Sequence, residues 1–417
     1  MADAYIIDAV RTYRGIGKMG KGALSQVHPE HLSAGVLAAI RDRNNLDTAD
    51  VDDVIWGVSG QLGLQAGDIG RNAALDAGYD VRAGGVTLNR FCGSSITSTN
   101  FAASMIMSGM HDLVIAGGMD MMSYVNYYGT KMREAGLGGG GMGAGNPRLQ
   151  AKHPQSNQGV CADAIAAMEG ITREELEEMG VESQRRAAAA IQEGRFDKST
   201  VAVTDDDGNV ILDREEYPRP DTTKEGLAQL KPAFEMFLNM PSEKDGKTFG
   251  ELINQKYPDV EIKPIHHVGI SSGVVDGAAA ILLASKDYAE KHGLKPRARI
   301  VAMTETGDCP TLMLNAPVPA ARKVLEKAGL TKDDIDVWEV NEAFAVVVEK
   351  FIRDLDLDRA KVNPNGGAIA LGHPIAATGA ILIGTALDEL ERTGGRYGLI
   401  TMCAAGGMAP AIIIERV

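Results

Sequence analysis

Short runs rich in β-branched residues alternate along most of this chain with stretches that repeat apolar side chains every three or four positions. Tyr5 to Val10, Val51 to Val58 and Asp112 to Ala116 read as strands. Pro29 to Arg43 carries Leu32, Val36, Leu37 and Ile40 on one side and reads as a helix. Ser95 to Met110 does the same with Ile96, Ala103, Ile106 and Met107, and Gly109 supplies a terminator. Alternation of this kind predicts a sheet covered by helices.

The character changes between Met121 and about His267, first through a glycine-rich segment at 137–145 and then through a polar, charge-rich region. This predicts an inserted loop domain, with a helix over Thr172 to Gln192 and a hairpin over Val201 to Leu212 that turns at Asp205 to Gly208. From Gly273 the alternation resumes with an expected helix at Val274 to Ala284, a strand at Ala298 to Thr304 and a helix at Pro319 to Lys327. Asp112 to Gly118 and Leu399 to Gly407 share a strand followed by Gly-Gly, a hint of a duplicated unit.

Composition narrows the function. A chain of 417 residues exceeds what one core serves, so two or three domains are expected. Hydrophobic residues at 44% and charged residues at 24% argue against disorder and against membrane spanning. A net charge of -14 opposes a broad nucleic-acid-binding face, so an anionic ligand needs a local cationic pocket. The chain enters a strand at Tyr5 without a secretory pattern, and the scattered Cys92, Cys161, Cys309 and Cys403 form no C-x-x-C pair. Reduced thiols in the cytoplasm, with no zinc, are the expectation. The 137–145 glycines lack both the strand-turn-helix setting of a dinucleotide site and the Lys-Ser/Thr ending of a phosphate loop.

Four positions carry candidate chemistry. Cys92, in Asn89 to Ser95, precedes a helix whose positive end favours the thiolate, although cysteine is also a common small core residue. His373 stands with Pro374 at the start of an apolar helix expected over Ile375 to Leu390, where the helix end opposes a charged imidazole. Cys403 follows the strand Tyr397 to Met402, placed to exchange a proton with a carbon acid. Asn341 follows the strand Val337 to Val340 and can donate toward an oxyanion, although Asn also serves as a helix cap.

Taken together, Asn89 to Ser95, Asn341 to Phe344, Gly366 to Ile375 and Cys403 to Gly407 resemble the thiolase signature. Asp276 to Ala280 and Pro317 to Lys323 extend the resemblance across nearly the whole chain. The resemblance implies an α/β fold of two duplicated halves in a five-layer αβαβα arrangement, each with a five-stranded sheet. It places one half at 1–120, completed by about 266–287, a loop domain over the active site at 121–265, and the other half at 288–417. It implies reversible acyl transfer between coenzyme A thioesters, by Claisen condensation or thiolysis, with acetyl transfer as the expected specificity. No metal or redox cofactor is required, and a homodimer or homotetramer is usual.

The same resemblance assigns Cys92 as acylated nucleophile, His373 as its base and Cys403 as acid/base at the α-carbon. Asn341, through a water, and His373 would form one oxyanion site, and the backbone N–H groups of Cys92 and Ala405 the other. Coenzyme A would meet Arg219, Phe234 and Ser272. The chain departs from the family pattern at Ala376 and Ala405, where glycine is usual, and at Gln158 to Ala162 beside the acyl pocket. Alanine keeps the N–H donor but resists positive φ, so either the second oxyanion site is shifted or its geometry does not need glycine. A ketosynthase-type condensing enzyme shares the nucleophile but usually lacks a second cysteine, so Cys403 favours thiolase. A silent acyl-coenzyme A carrier is opposed by retention of all four chemical side chains.

Overall fold

The computed structural model describes residues 3–136, 146–242 and 246–417, so the glycine-rich segment 137–145 lies outside the described residues. The first half comprises β1 (Ala4–Thr12), α1 (Pro29–Asn44), β2 (Asp53–Gly57), α2 (Ile69–Asp76), β3 (Val86–Leu88), α3 (Ser94–Met107) and β4 (Leu113–Met121). An excursion follows that contains α4 (Gln158–Glu169) and α5 (Arg173–Gln192), and the chain then returns through β5 (Val275–Ser285). The second half comprises β6 (Ala298–Gly307), α6 (Pro317–Ala328), β7 (Val337–Val340), α7 (Ala345–Leu355), α8 (Thr378–Thr393), β8 (Tyr397–Thr401) and β9 (Met408–Arg416).

Strand order shows the duplication directly. In the first half β3, β2 and β4 pair in parallel, and β5 and β1 follow in antiparallel. In the second, Val362, β7 and β8 pair in parallel, and β9 and β6 follow in antiparallel. Two departures from the expected pair of five-stranded sheets have local causes. The fifth strand of the second half shrinks to one bridge, Trp338 to Val362, because Asn363 adopts φ 47° and Pro364 has no N–H to extend the ladder. Asn363 compensates with its side chain, which accepts from Val340 N at 2.8 Å and donates to Val340 O at 2.9 Å. The two sheets also join at their edges, where Tyr5 pairs with Arg299 and Ile6 with Ala298.

Side-chain alternation builds the layers. Ile281 and Leu283 of β5, with Ile412 and Ile414 of β9, face a central cluster that holds Ile96 and Ile106 of α3 and Ile383, Leu387 and Leu390 of α8. Leu282 faces outward onto Leu32, Val36, Leu37 and Ile40 of α1, and Ile413 faces outward onto Val324 of α6 and Phe351 of α7. Five layers result, with α3 and α8 in the middle. The segment Val274 to Ala284, expected as a helix, is instead strand β5, buried at every residue from Val275 to Ser285. A strand covered on both faces loses the polar alternation that marks strands, and its alanines carry helix propensity that tertiary packing overrides.

The excursion is anchored by charge as well as by apolar packing. Val160, Cys161 and Ile165 of α4 pack with Phe344, Val347, Ile369 and Cys403. Glu215 accepts from Arg11 at 2.7 Å and from Arg14 at 2.8 Å. Burial opposes ionisation of Glu215, yet Arg14 and Arg11 bring its pKa down to about 2. Among the described residues no helix is long and apolar enough to cross a membrane. Replacing Asn363 by Ala removes three buried hydrogen bonds and leaves a Cβ residue in the left-handed region, and should cost about 2–4 kcal/mol. Urea unfolding of Asn363→Ala beside the parent protein measures this loss.

Candidate active site

The N-terminal ends of α3 and α8 meet at the carboxyl ends of the parallel strands. Ala380 N donates to Ser95 Oγ at 2.9 Å, and a Cβ on Gly379 would lie 2.4 Å from Ile96 N, so only glycine permits the approach. Cys92 stands just before α3, whose N-cap is Gly93. Its turn is tight: Phe91 adopts φ 49°, Ser94 Oγ donates to Phe91 O at 2.6 Å, and Arg90 N donates to Ser94 Oγ at 2.9 Å. A Cβ on Gly93 would lie 2.8 Å from Pro410 Cδ and 3.5 Å from Ala404 Cβ, which brings the Cys403 loop against the Cys92 turn.

His373 is held by its own backbone, since its N–H donates to Gly273 O at 2.8 Å. Its Nδ1 lies 2.6 Å from Thr378 Oγ1, and its Nε2 lies 3.4 Å from Asn341 Nδ2. The helix expected over Ile375 to Leu390 begins as a 3₁₀ turn at Ile375–Ala377 and becomes α-helical only at Thr378. Asn341 extends β7, donating its N–H to Thr401 O at 3.3 Å, two residues before Cys403. The structure therefore gathers Cys92, His373, Asn341 and Cys403 around one set of strand ends.

Burial sets their charge. It pushes the Cys92 thiol well above the usual range, with the charges of Cys403 and Asp120 adding to the effect. It raises Cys403 to about 12 and lowers His373 to about 3. The helix end expected to favour a Cys92 thiolate is outweighed by loss of solvent around the sulfur. Asp120 anchors the floor: it accepts from Ser59 Oγ at 2.6 Å, Gln65 Nε2 at 2.6 Å and Ala376 N at 2.7 Å. Burial raises its pKa to about 6 against those hydrogen bonds.

The two alanine departures fit their backbone. Positive φ falls on Gly406 and Gly407, at 81° and 78°, and neither Ala405 nor Ala376 adopts it. The Ala405 N–H makes no hydrogen bond among the described residues. The sequence reading missed Thr378, Asp120 and the Arg14–Glu215 pair. Only Thr378 left a signal, standing five positions after His373 where the helix begins.

The three expected coenzyme A contacts lie further out. Ser272 donates its N–H to Ala343 O at 3.0 Å, on the strip that continues through Gly273 to His373. Arg219 is exposed and lies over the Tyr217 ring at 5.7 Å, while Tyr217 covers Gly273 so closely that a Cβ there would fall 2.3 Å from the ring. Phe234 packs on Gly159 of α4 and meets Phe344 edge-on at 5.6 Å. Two surface clefts, one around Gln26, His31 and Asp206 and one around Glu182, Arg186 and Arg359, involve none of the four chemical residues.

The chain matches the thiolase N-terminal domain over residues 4–237 and the thiolase C-terminal domain over residues 294–416. It is 41% identical to the steroid 3-ketoacyl-CoA thiolase of Mycobacterium tuberculosis, over 100% of this chain and 95% of that one. It is 40% identical to a beta-ketoadipyl-CoA thiolase of Acinetobacter baylyi, over 100% of both chains. The crystal structure of the Bacillus anthracis acetyl-CoA acetyltransferase superposes with a TM-score of 0.81 at 33% identity, covering 100% of this chain and 99% of that one. The chain belongs to the thiolase family.

Cys309 differs from the other thiols. Lys256 Nζ donates to its sulfur at 3.1 Å and Tyr257 Oη at 3.2 Å, and burial is outweighed by these and two backbone donors, so its pKa falls. Cys161 is fully buried and raised. Brief iodoacetamide treatment should label Cys309 roughly ten times faster than Cys161, and Lys256→Met should narrow the gap. Peptide mass spectrometry reads both rates.

Proposed function

We propose that this thiolase cleaves 3-ketoacyl-coenzyme A with coenzyme A, and runs the reverse Claisen condensation, through an acyl-Cys92 intermediate. The convergence of two buried thiols, a neutral imidazole and an amide on one set of strand ends carries this reading. His373 Nε2 takes the Cys92 proton as the sulfur attacks the 3-keto carbon. The bond between C2 and C3 then breaks, and Cys403 gives its proton to C2 to release acetyl-coenzyme A. The thiol of coenzyme A gives its proton to the Cys403 thiolate and attacks the acyl-Cys92 thioester, and the Cys92 sulfur leaves as a thiol with the proton that His373 had taken.

Asn341, through a water, and His373 stabilise one developing oxyanion, while the N–H groups of Cys92 and Ala405 stabilise the other. The free Ala405 N–H supports this assignment. The cycle uses coenzyme A thioesters throughout and calls on neither a metal nor a redox group. Acyl preference follows from the pocket beside Gln158 to Ala162. The names of the relatives span acetyl, ketoadipyl and steroid-derived acyl groups.

The finer features follow from the same reading. Residues 121–265 form a domain that covers the site, where Arg219 contacts the phosphates or adenine of coenzyme A, Phe234 walls its apolar part and Ser272 meets the pantetheine arm. Among the described residues strand β3 pairs on one side only, and the exposed Val81, Val86 and Phe101 support self-association as a dimer or tetramer. The undivided complement of free cysteines supports a reducing, cytoplasmic setting.

Cys92→Ser should lower thiolysis by roughly three orders of magnitude or more and abolish the acyl-enzyme, with circular dichroism unchanged. Undiminished turnover in that variant rejects the mechanism. A survey across 3-ketoacyl lengths separates acetyl transfer, confined to acetoacetyl-coenzyme A, from broad degradative activity.

The acid side of the pH profile gives a second check. His373 is protonated in the folded enzyme only near pH 3, whereas free histidine charges near 6.5. A base must be neutral to act, so kcat/KM should show no acid limb at pH 6–7 that originates at His373. A limb near 6.5 that disappears in His373→Asn would contradict this.

A further inference from the structure

Among the described residues, Glu339 is fully buried with neither carboxyl oxygen hydrogen-bonded. Such a group asks for an explanation, because an unpaired buried carboxylate is far costlier than an apolar side chain of the same size. Burial pushes its pKa well above the ordinary carboxylate range, Glu342 and Glu389 push further, and Arg186 and Arg14 offset this only in part. Glu339 is therefore a neutral acid, with one O–H to donate.

Its position supplies an acceptor. Strand β7 turns Trp338 and Val340 to the outer cluster and Val337 to the central one, so Glu339 and, two residues on, Asn341 share the inner face. Asn341 is 1% exposed, and its Oδ1 also has no partner. The other end of that amide is committed. For His373 to accept a proton at Nε2 it must carry its hydrogen on Nδ1, which then donates to Thr378 Oγ1 at 2.6 Å. Nε2 is left as an acceptor for Asn341 Nδ2, 3.4 Å away, and Oδ1 faces elsewhere without a donor.

We propose that the Glu339 carboxyl donates, through one buried water, to Asn341 Oδ1 and so fixes which way the Asn341 amide points. Residues two apart on a strand have Cα atoms roughly 6.6 Å apart with side chains on the same face, near enough for their polar ends to share one bridging water. Glu339 is a positioning residue: it touches no reacting atom and acts through Asn341. The inference rests on the oxyanion role given to Asn341 above.

Replacement of Glu339 by Met tests it, with Glu339→Gln and Asn341→Ala alongside. Glu339→Met should lower kcat for acetoacetyl-coenzyme A thiolysis by about 10- to 100-fold with KM changed less than about threefold. Its melting temperature should hold or rise, since an apolar side chain replaces an unpaired buried carboxyl. Activity and stability then move apart, which a purely structural role does not produce. Glu339→Gln, which retains a donor, should recover most of the lost kcat. If Glu339→Met does not fold, Glu339→Val takes its place.

Full activity in the Met or Val variant, or a loss of activity that tracks a loss of melting temperature, overturns the proposal. A variant that combines Glu339→Met with Asn341→Ala should be no slower than Asn341→Ala alone, and additive losses also overturn it. An unimpaired Asn341→Ala overturns the oxyanion reading itself, whereas an impaired Asn341→Ala beside an unimpaired Glu339→Met removes only Glu339.

Discussion

Two helices can cross tightly at their beginnings only where one of them presents no side chain at the contact, and the rest of this molecule depends on one such crossing. Gly379 lies against the backbone of Ile96, and Ser95 receives the N–H of Ala380. Adjoining glycines make the same concession to the sheets: a Cβ on Gly57 would fall 2.7 Å from Ser94 Cβ, and one on Gly118 would fall 2.7 Å from Ala376 O. These contacts set the depth of the central layer. They also bring the residues just before each helix, Cys92 on one side and His373 on the other, to the same end of the structure.

That location is dry, and dryness governs its electrostatics. Cys92 and Cys403 resist losing a proton, and His373 resists gaining one, so the resting site holds no charge on any of them. Charge develops only when a bound thioester offers a place for it. Asp120 beside it is held by neutral hydrogen-bond donors, and the paired charges stand further out, as in Glu215 with Arg11 and Arg14, where two guanidinium groups offset the cost of burying one carboxylate.

Much of this was legible along the chain, for physical reasons. The amphipathic spacing of Leu32, Val36, Leu37 and Ile40 marks α1 because one side of that helix meets the sheet and the other meets solvent. The four chemical residues stood out because each sits next to a strand end or a helix start, where turns need recognisable residue types. β5 misled because it is covered on both faces and rich in alanine. Asn363 and Asp120 left little trace, since their roles consist of hydrogen bonds to residues far away in sequence, such as Asp120 to Ala376, whereas Thr378 stands only five positions from His373. The alanines at 376 and 405 were ambiguous until backbone angles showed that the left-handed positions fall on Gly406 and Gly407.

The pairing of β1 has a consequence for synthesis. This strand leaves the ribosome ahead of the other strands described, yet, apart from Arg11 and Thr12 beside Thr200 and Val201, its partners are Ala279 to Ser285 of β5 and Ala298 and Arg299 of β6. Loop closure over so much chain is slow, and until then both edges of a nine-residue strand that is buried almost throughout in the folded protein stay open to pairing with other chains. The nascent protein thus carries this strand with its edges unpaired through the larger part of translation, and the first sheet cannot close until β5 has been made.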